Sequence, residues 1–130
     1  MIKDINNPAV ENVWLAVVKE GENDWKVYLV NRNQEVLHTV MITSKGYGFK
    51  EGKEQKTSVL RHMIPHLEAG EYALIEPMDP SVFHLNNEYW VSYFIEKQLY
   101  DKKYIFVPDS IKDENLVYIK ELDQKGVLHR

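Results

Sequence analysis

Turn-forming residues punctuate this chain at short, nearly regular intervals, and no run between them is long enough for a sustained amphipathic helix. Glu20-Gly21-Glu22-Asn23-Asp24, Asn31-Arg32-Asn33-Gln34, Ala69-Gly70 and Pro108-Asp109-Ser110 each close a short apolar stretch. Short alternating runs bounded by Gly, Pro, Asn and Asp are the pattern of an all-β domain. The chain has 130 residues, the length of one ordinary domain that can bury a sizeable core. The reading is a single domain over 1–130, with 1–9 and 124–130 as loose tails or, for the latter, a short edge strand.

The first run, Val10–Lys19, is apolar on both parities at its centre, Val13-Trp14-Leu15-Ala16-Val17-Val18, as a strand buried on both faces requires. Trp25–Val30 and Glu35–Thr43 follow across tight turns, giving an antiparallel meander. The third run places Val36, His38, Val40 and Ile42 on one face, with His38 as a core or boundary residue. Residues 44–56 read as a polar loop. Thr57–Ile64 fits either a helical stripe or a strand ended by Pro65, and strand is the choice here. Leu67, Gly70 and Tyr72 ahead of Ala73-Leu74-Ile75 resemble the tyrosine corner of immunoglobulin-like sandwiches. Asp79-Pro80 has the chemistry of a capped helical turn, and Ser110 with Asp113 resembles a capping box. Glu88–Glu96 and Leu99–Val107 form a long hairpin, and Asn115–Lys120 a last strand. About eight strands in a two-sheet antiparallel sandwich, immunoglobulin-like or a related Greek key, is the predicted fold; a partly open barrel is the alternative.

Rings are concentrated in that hairpin. The chain has 3 Trp, 8 Tyr and 4 Phe, and Phe83, Tyr89, Trp90, Tyr93, Phe94, Tyr100, Tyr104 and Phe106 lie close together in sequence. On a strand Tyr89 and Tyr93 share one face while Trp90 and Phe94 share the other. One set can fill the core as cross-strand pairs; the other can form a platform for a peptide, a sugar or a flat ligand. Tyr47 and Phe49, in Ser44-Lys45-Gly46-Tyr47-Gly48-Phe49, can add to such a platform from a loop. That glycine-rich stretch lacks the Gly-Lys-Ser/Thr and the following helix of a phosphate-binding loop.

Composition removes several functions. Without cysteine there is no disulfide framework, zinc ribbon, iron–sulfur site or thiol catalysis. A net charge of −4 argues against nucleic acid or anionic membrane as partner. The longest apolar run, Val13–Val18, is far short of the about 20 residues of a membrane span. The start, Met1-Ile2-Lys3-Asp4-Ile5-Asn6-Asn7-Pro8, lacks the layout of a signal peptide, so the expectation is a cytoplasmic chain. Charge is segregated: Lys45, Lys50, Lys53, Lys56 and Arg61 precede a stretch whose charges are Glu68, Glu71, Glu76, Asp79, Glu88 and Glu96. Such asymmetry can steer a charged partner.

Catalytic signals are sparse. His62, His66 and His84, with Asp79, are the weak candidates for a metal set, and Pro65 interrupts the regular spacing of the first two. No Gly-x-Ser-x-Gly elbow occurs. No catalytic residue and no cofactor is expected.

Glu11-Asn12-Val13-Trp14-Leu15-Ala16-Val17-Val18, Ser44-Lys45-Gly46-Tyr47-Gly48 and Phe106-Val107-Pro108-Asp109-Ser110 together resemble a family of small uncharacterised bacterial proteins of about this length. Some members carry the label phenylalanyl-tRNA synthetase subunit alpha. The label implies aminoacylation, which needs ATP-gripping arginines; here Arg32, Arg61 and Arg130 are scattered, and no catalytic residue is carried over. The functional expectation is a non-enzymatic module that binds a protein partner or self-associates. A carbohydrate or small-molecule binder is the alternative, and a metal-dependent enzyme the third.

Overall fold

The doubly apolar run Val13–Val18 forms β1 (Val13–Lys19), and it lies in the middle of a sheet with both of its faces buried. The computed structural model describes residues 7–130, so most of the expected N-terminal tail lies outside the described residues. The further strands are β2 (Trp25–Asn31), β3 (Leu37–Lys50), β4 (Lys53–Lys56), β5 (Leu60–Leu67), β6 (Tyr72–Met78), β7 (Asn86–Ile95), β8 (Gln98–Phe106), β9 (Val117–Ile119) and β10 (Gln124–His129). The first sheet runs β6-β2-β1-β10-β9. In the second, β3 is flanked on one side by β7 and then β8, and pairs with β4 and β5 as well. Every pairing is antiparallel. The sandwich is therefore the architecture, with ten strands among the described residues rather than about eight. No helix among the described residues is long and apolar enough to cross a membrane.

Between the sheets, Leu15, Val17, Val27 and Leu29 meet Val40, Ile42, Val91 and the rings of Tyr89, Tyr93 and Tyr104. Two polar groups fasten this core. The buried hydroxyl of Tyr104, on β8, donates to the Val13 carbonyl of β1 at 2.6 Å, a direct tie from one sheet to the other. Asn31 is fully buried, and its amide donates to the carbonyls of Glu35, Leu67 and Glu68 at 2.9, 3.0 and 3.1 Å. Buried polar atoms cost little when they are satisfied in this way.

Several local expectations change. Ser44–Lys50 is not a loop: it prolongs β3, and the tight turn falls at Glu51-Gly52, both at positive φ. The glycine at 46 reflects close approach rather than flexibility, since a Cβ there would lie 2.9 Å from Thr57 Cγ2. The Gly46 N–H instead donates to Thr57 Oγ1 at 2.7 Å. Thr57–Ile64 resolves into a short break and β5, which continues through Pro65 to Leu67. A proline is tolerated there because β5 is an edge strand.

Opposite Pro65 stands Thr39, a β-branched residue at φ 50°. That left-handed residue breaks the alternation of β3, so Leu37, Val40 and Ile42 are all buried while His38 faces out. His38 is thus a surface residue and not part of the core. Tyr72 is half-exposed and packs edge-on against Tyr28 at 5.8 Å; it pins no crossover. Ser110 donates its hydroxyl to the Val107 carbonyl at 2.7 Å and caps no helix, whereas Asp79 does cap the Pro80–Val82 turn, accepting from Ser81 N at 2.8 Å.

The largest correction concerns 124–130. This segment forms β10, inserted between β1 and β9. Its His129 ring lies edge-on to Tyr104 at 5.1 Å and to Phe106 at 5.7 Å. Burial pushes the imidazole below its ordinary value, and nearby Lys102 adds to this against the opposing pull of the Arg130 carbonyl. The fold therefore prefers neutral His129. Its contribution to stability is complete above the unfolded value of about 6.5 and is lost as pH falls through the lower folded value. We expect the Tm difference between wild type and His129→Phe to shift in favour of the variant as pH is lowered from 7.5 to 5, measured by differential scanning calorimetry.

Candidate functional site

The outer faces of the two sheets differ. On the first, Ala16, Val18 and Val30 are buried beneath Ile119 and Leu122, which belong to β9 and the turn that follows it. Trp14, beside them, is covered by the guanidinium groups of Arg32 and Arg130, 4.1 and 5.0 Å from the ring centre. The middle of this face is closed by the chain's own residues.

On the second sheet the register sets out a different surface in cross-strand rows. His66, His38, Phe94 and Leu99 form one row. Met63, Met41, Ser92 and Asp101 form the next, followed by Arg61, Thr43, Trp90 and Lys103. Met41 is 47% exposed, Met63 58%, Trp90 46% and Phe94 37%. Nothing in the chain covers the middle of this face among the described residues. Four strands about 4.8 Å apart and about ten residues long give this sheet an outer face of roughly 600 Å² in projection, and the three rows with the exposed apolar side chains take up about half of it. One side of an ordinary protein interface is about 800 Å². Such an exposed apolar patch, rimmed by charge, marks an interaction surface more often than chance exposure does.

Trp90 is held in place from β8. Its Nε1 donates to Asp101 Oδ2 at 3.4 Å, and Lys103 Nζ lies 4.9 Å from the ring centre. One row further along, Lys45 reaches Glu88 at 3.7 Å, and the Tyr47 hydroxyl donates to Glu88 Oε1 at 3.1 Å. Burial, then that hydrogen bond, pushes the Tyr47 phenol up. Here a pocket of about 480 Å³ opens, lined by Lys45, Tyr47, Phe49, Lys56, Val59 and Glu88 among others.

The rings expected to form a platform are divided by the pleat. Trp90 lies on the open face, and Tyr47 and Phe49 at the adjoining pocket. Tyr89, Tyr93 and Tyr104 are core residues, and Tyr100 stacks on Tyr93 at 5.3 Å and 8°. Burial pushes the phenols of all three core tyrosines up. Met41 and Met63 were not legible as site residues, because methionine carries no distinctive spacing and their pairing depends on the register.

The candidate metal histidines do not converge. His62 Nε2 meets Glu76 Oε1 at 2.7 Å, His84 Nε2 meets Gln55 Oε1 at 2.7 Å, and His66 faces His38. Glu76 is a junction between the sheets. From β6 it accepts from Ser44 Oγ at 2.9 Å on β3, from His62 on β5 and from the Tyr89 hydroxyl at 3.0 Å on β7. The acidic stretch is therefore not simply an exposed acidic surface, since Glu76 and Glu88 are both engaged by neighbouring side chains. The basic stretch is on the second sheet: Lys45, Lys50, Lys53, Lys56 and Arg61 all lie on β3, β4 and β5.

Comparison of the chain with family models, with curated proteins and with solved structures finds no match.

Proposed function

We propose that the chain is a protein-interaction module that docks its partner on the open face of the second sheet. The observation that carries this is the contrast between the faces: one is closed by Ile119 and Leu122, while the other leaves Met41, Met63, Trp90 and Phe94 exposed in neighbouring rows. Methionine adapts its shape to a bound surface, and tryptophan is the residue most enriched among binding hot spots. Arg61, Lys103 and Lys45 stand around them against Asp101 and Glu88, so the complementary partner is an apolar segment flanked by carboxylates.

The test places a photo-cross-linking residue at Met63 and, as control, at exposed Tyr118 on β9. An acidic partner captured from Met63 alone is expected. Its affinity for the purified chain should fall by about 2 kcal/mol, some thirtyfold, in Trp90→Ala. It should also weaken in Arg61→Glu. Equal capture at both positions, indifference to Trp90→Ala, or cross-linking only to a second copy would each overturn the reading.

A second reading, a small molecule or glycan, is supported by the 480 Å³ pocket at Tyr47 and Phe49, which offers two rings and two lysines to one ligand.

A further inference from the structure

His38 and His66 are directly opposed residues of β3 and β5. Their Nδ1 atoms are 3.2 Å apart, with ring planes at 87°, and both side chains face solvent. A metal bound by imidazole holds each nitrogen at about 2.0–2.1 Å, so two nitrogens on one ion lie about 2.9–3.4 Å apart for angles from square-planar to tetrahedral. The separation seen here falls within that interval. We propose that His38 and His66 form a two-histidine site for a late first-row divalent cation, independent of the docking role of the same face.

The site is prearranged by backbone. The β3–β5 ladder fixes both Cα positions. Thr39 at positive φ turns His38 outward, and Pro65 limits the chain just before His66. What remains when an ion binds is rotation of the two rings, so that both Nδ1 lone pairs converge on it instead of one accepting from the other. Without metal, one Nδ1–H donates to the other Nδ1. On binding, the donor ring gives up that proton to solvent and takes one back on Nε2, so each neutral ring carries its single proton on Nε2, no net proton is released, and both Nδ1 lone pairs bind the ion. Water fills the other positions. Imidazole suits copper, nickel and zinc, and the general order of stability makes Cu²⁺ the tightest.

The sequence does not show this pairing. His66 falls next to His62 in a four-residue spacing, but His62 is committed to Glu76. His38 lies 28 residues from His66 and only the register joins them.

Titration calorimetry with CuCl₂ in a non-coordinating buffer tests the site on the full chain. One ion per chain is expected, with two-nitrogen hyperfine structure in the electron paramagnetic resonance spectrum. His38→Ala and His66→Ala should each weaken binding by roughly tenfold to a hundredfold, at least the loss seen when only an outer-shell partner of a ligand is removed. His62→Ala and His84→Ala should leave it unchanged. Both proposed ligands are exposed, so the alanine variants keep the core, and far-UV circular dichroism verifies their fold. Metal should raise the Tm of the wild type but not of His66→Ala. Binding that survives both His38→Ala and His66→Ala, or no binding at millimolar Cu²⁺, would overturn the site.

Discussion

Deleting residues 124–130 is expected to abolish folding. This segment is the fourth strand of a five-strand sheet, and its loss strips partners from both sides. Leu15–Val18 lose their ladder with Gly126–His129, and β9 loses its only neighbour among the described residues. Val127 leaves the core, and Ile119 and Leu122 lose the scaffold that holds them over Ala16 and Val18. Burying one such aliphatic side chain contributes about 1.5–3 kcal/mol. Several are lost together with a ladder on each side, against a total stability of about 5–15 kcal/mol for a domain. Circular dichroism of the truncated chain should show no cooperative thermal transition. A chain lacking 124–130 that melts like the wild type would refute β10 as a structural strand. A milder companion is Gly126→Val. A Cβ at 126 would lie 2.9 Å from the Val17 carbonyl and 3.1 Å from both Ile119 Cδ1 and Val18 Cγ2. Overpacking of this kind costs about 1–3 kcal/mol.

Tyr104→Ala should be the most damaging single substitution of the hairpin, at about 3–5 kcal/mol, the range for removing a large buried ring. Tyr104 is wholly buried, carries the hydrogen bond to Val13 across the sheets and receives the edge of His129. Tyr104→Phe keeps the ring and orphans one acceptor, so it should cost only about 1–3 kcal/mol. Urea titration of the two variants separates packing from the hydrogen bond. Equal losses would mean that the hydroxyl carries the stability; no loss in Tyr104→Ala would place the ring outside the core. Trp90→Ala, on the opposite face of the neighbouring strand, should change stability far less while it abolishes most partner binding.

Legibility follows how local the cause is. β1 is set by an unbroken apolar run, and β2, β6 and the aromatic hairpin by patterning within a few residues, so the sequence announces them. The division of that hairpin into two ring sets is legible too, since Tyr89 and Tyr93 must oppose Trp90 and Phe94 on any strand. Which set points outward is not, because it depends on which face the first sheet covers. The segment after Thr43 misleads because glycine marks both flexible loops and close contacts. Gly46 belongs to the second kind, and its partner Thr57 is eleven residues away. His38 misleads for another reason: one left-handed residue, Thr39, resets the parity of the strand, and sequence offers no sign that a threonine will adopt it.

By itself the sequence determined an all-β fold with a sandwich preferred to a partly open barrel, a chain without cysteine, and a hairpin with more large rings than one core face needs. Those properties follow from composition and from period-two patterning, which are additive and local. Tertiary structure alone decided that 124–130 lies inside a sheet, that Glu76 joins the layers, that His38 meets His66, and that Met41, Met63, Trp90 and Phe94 share one open face. Each of these depends on register between distant strands. Pairing across a sheet sets side chains about 5 Å apart however many residues separate them in the chain.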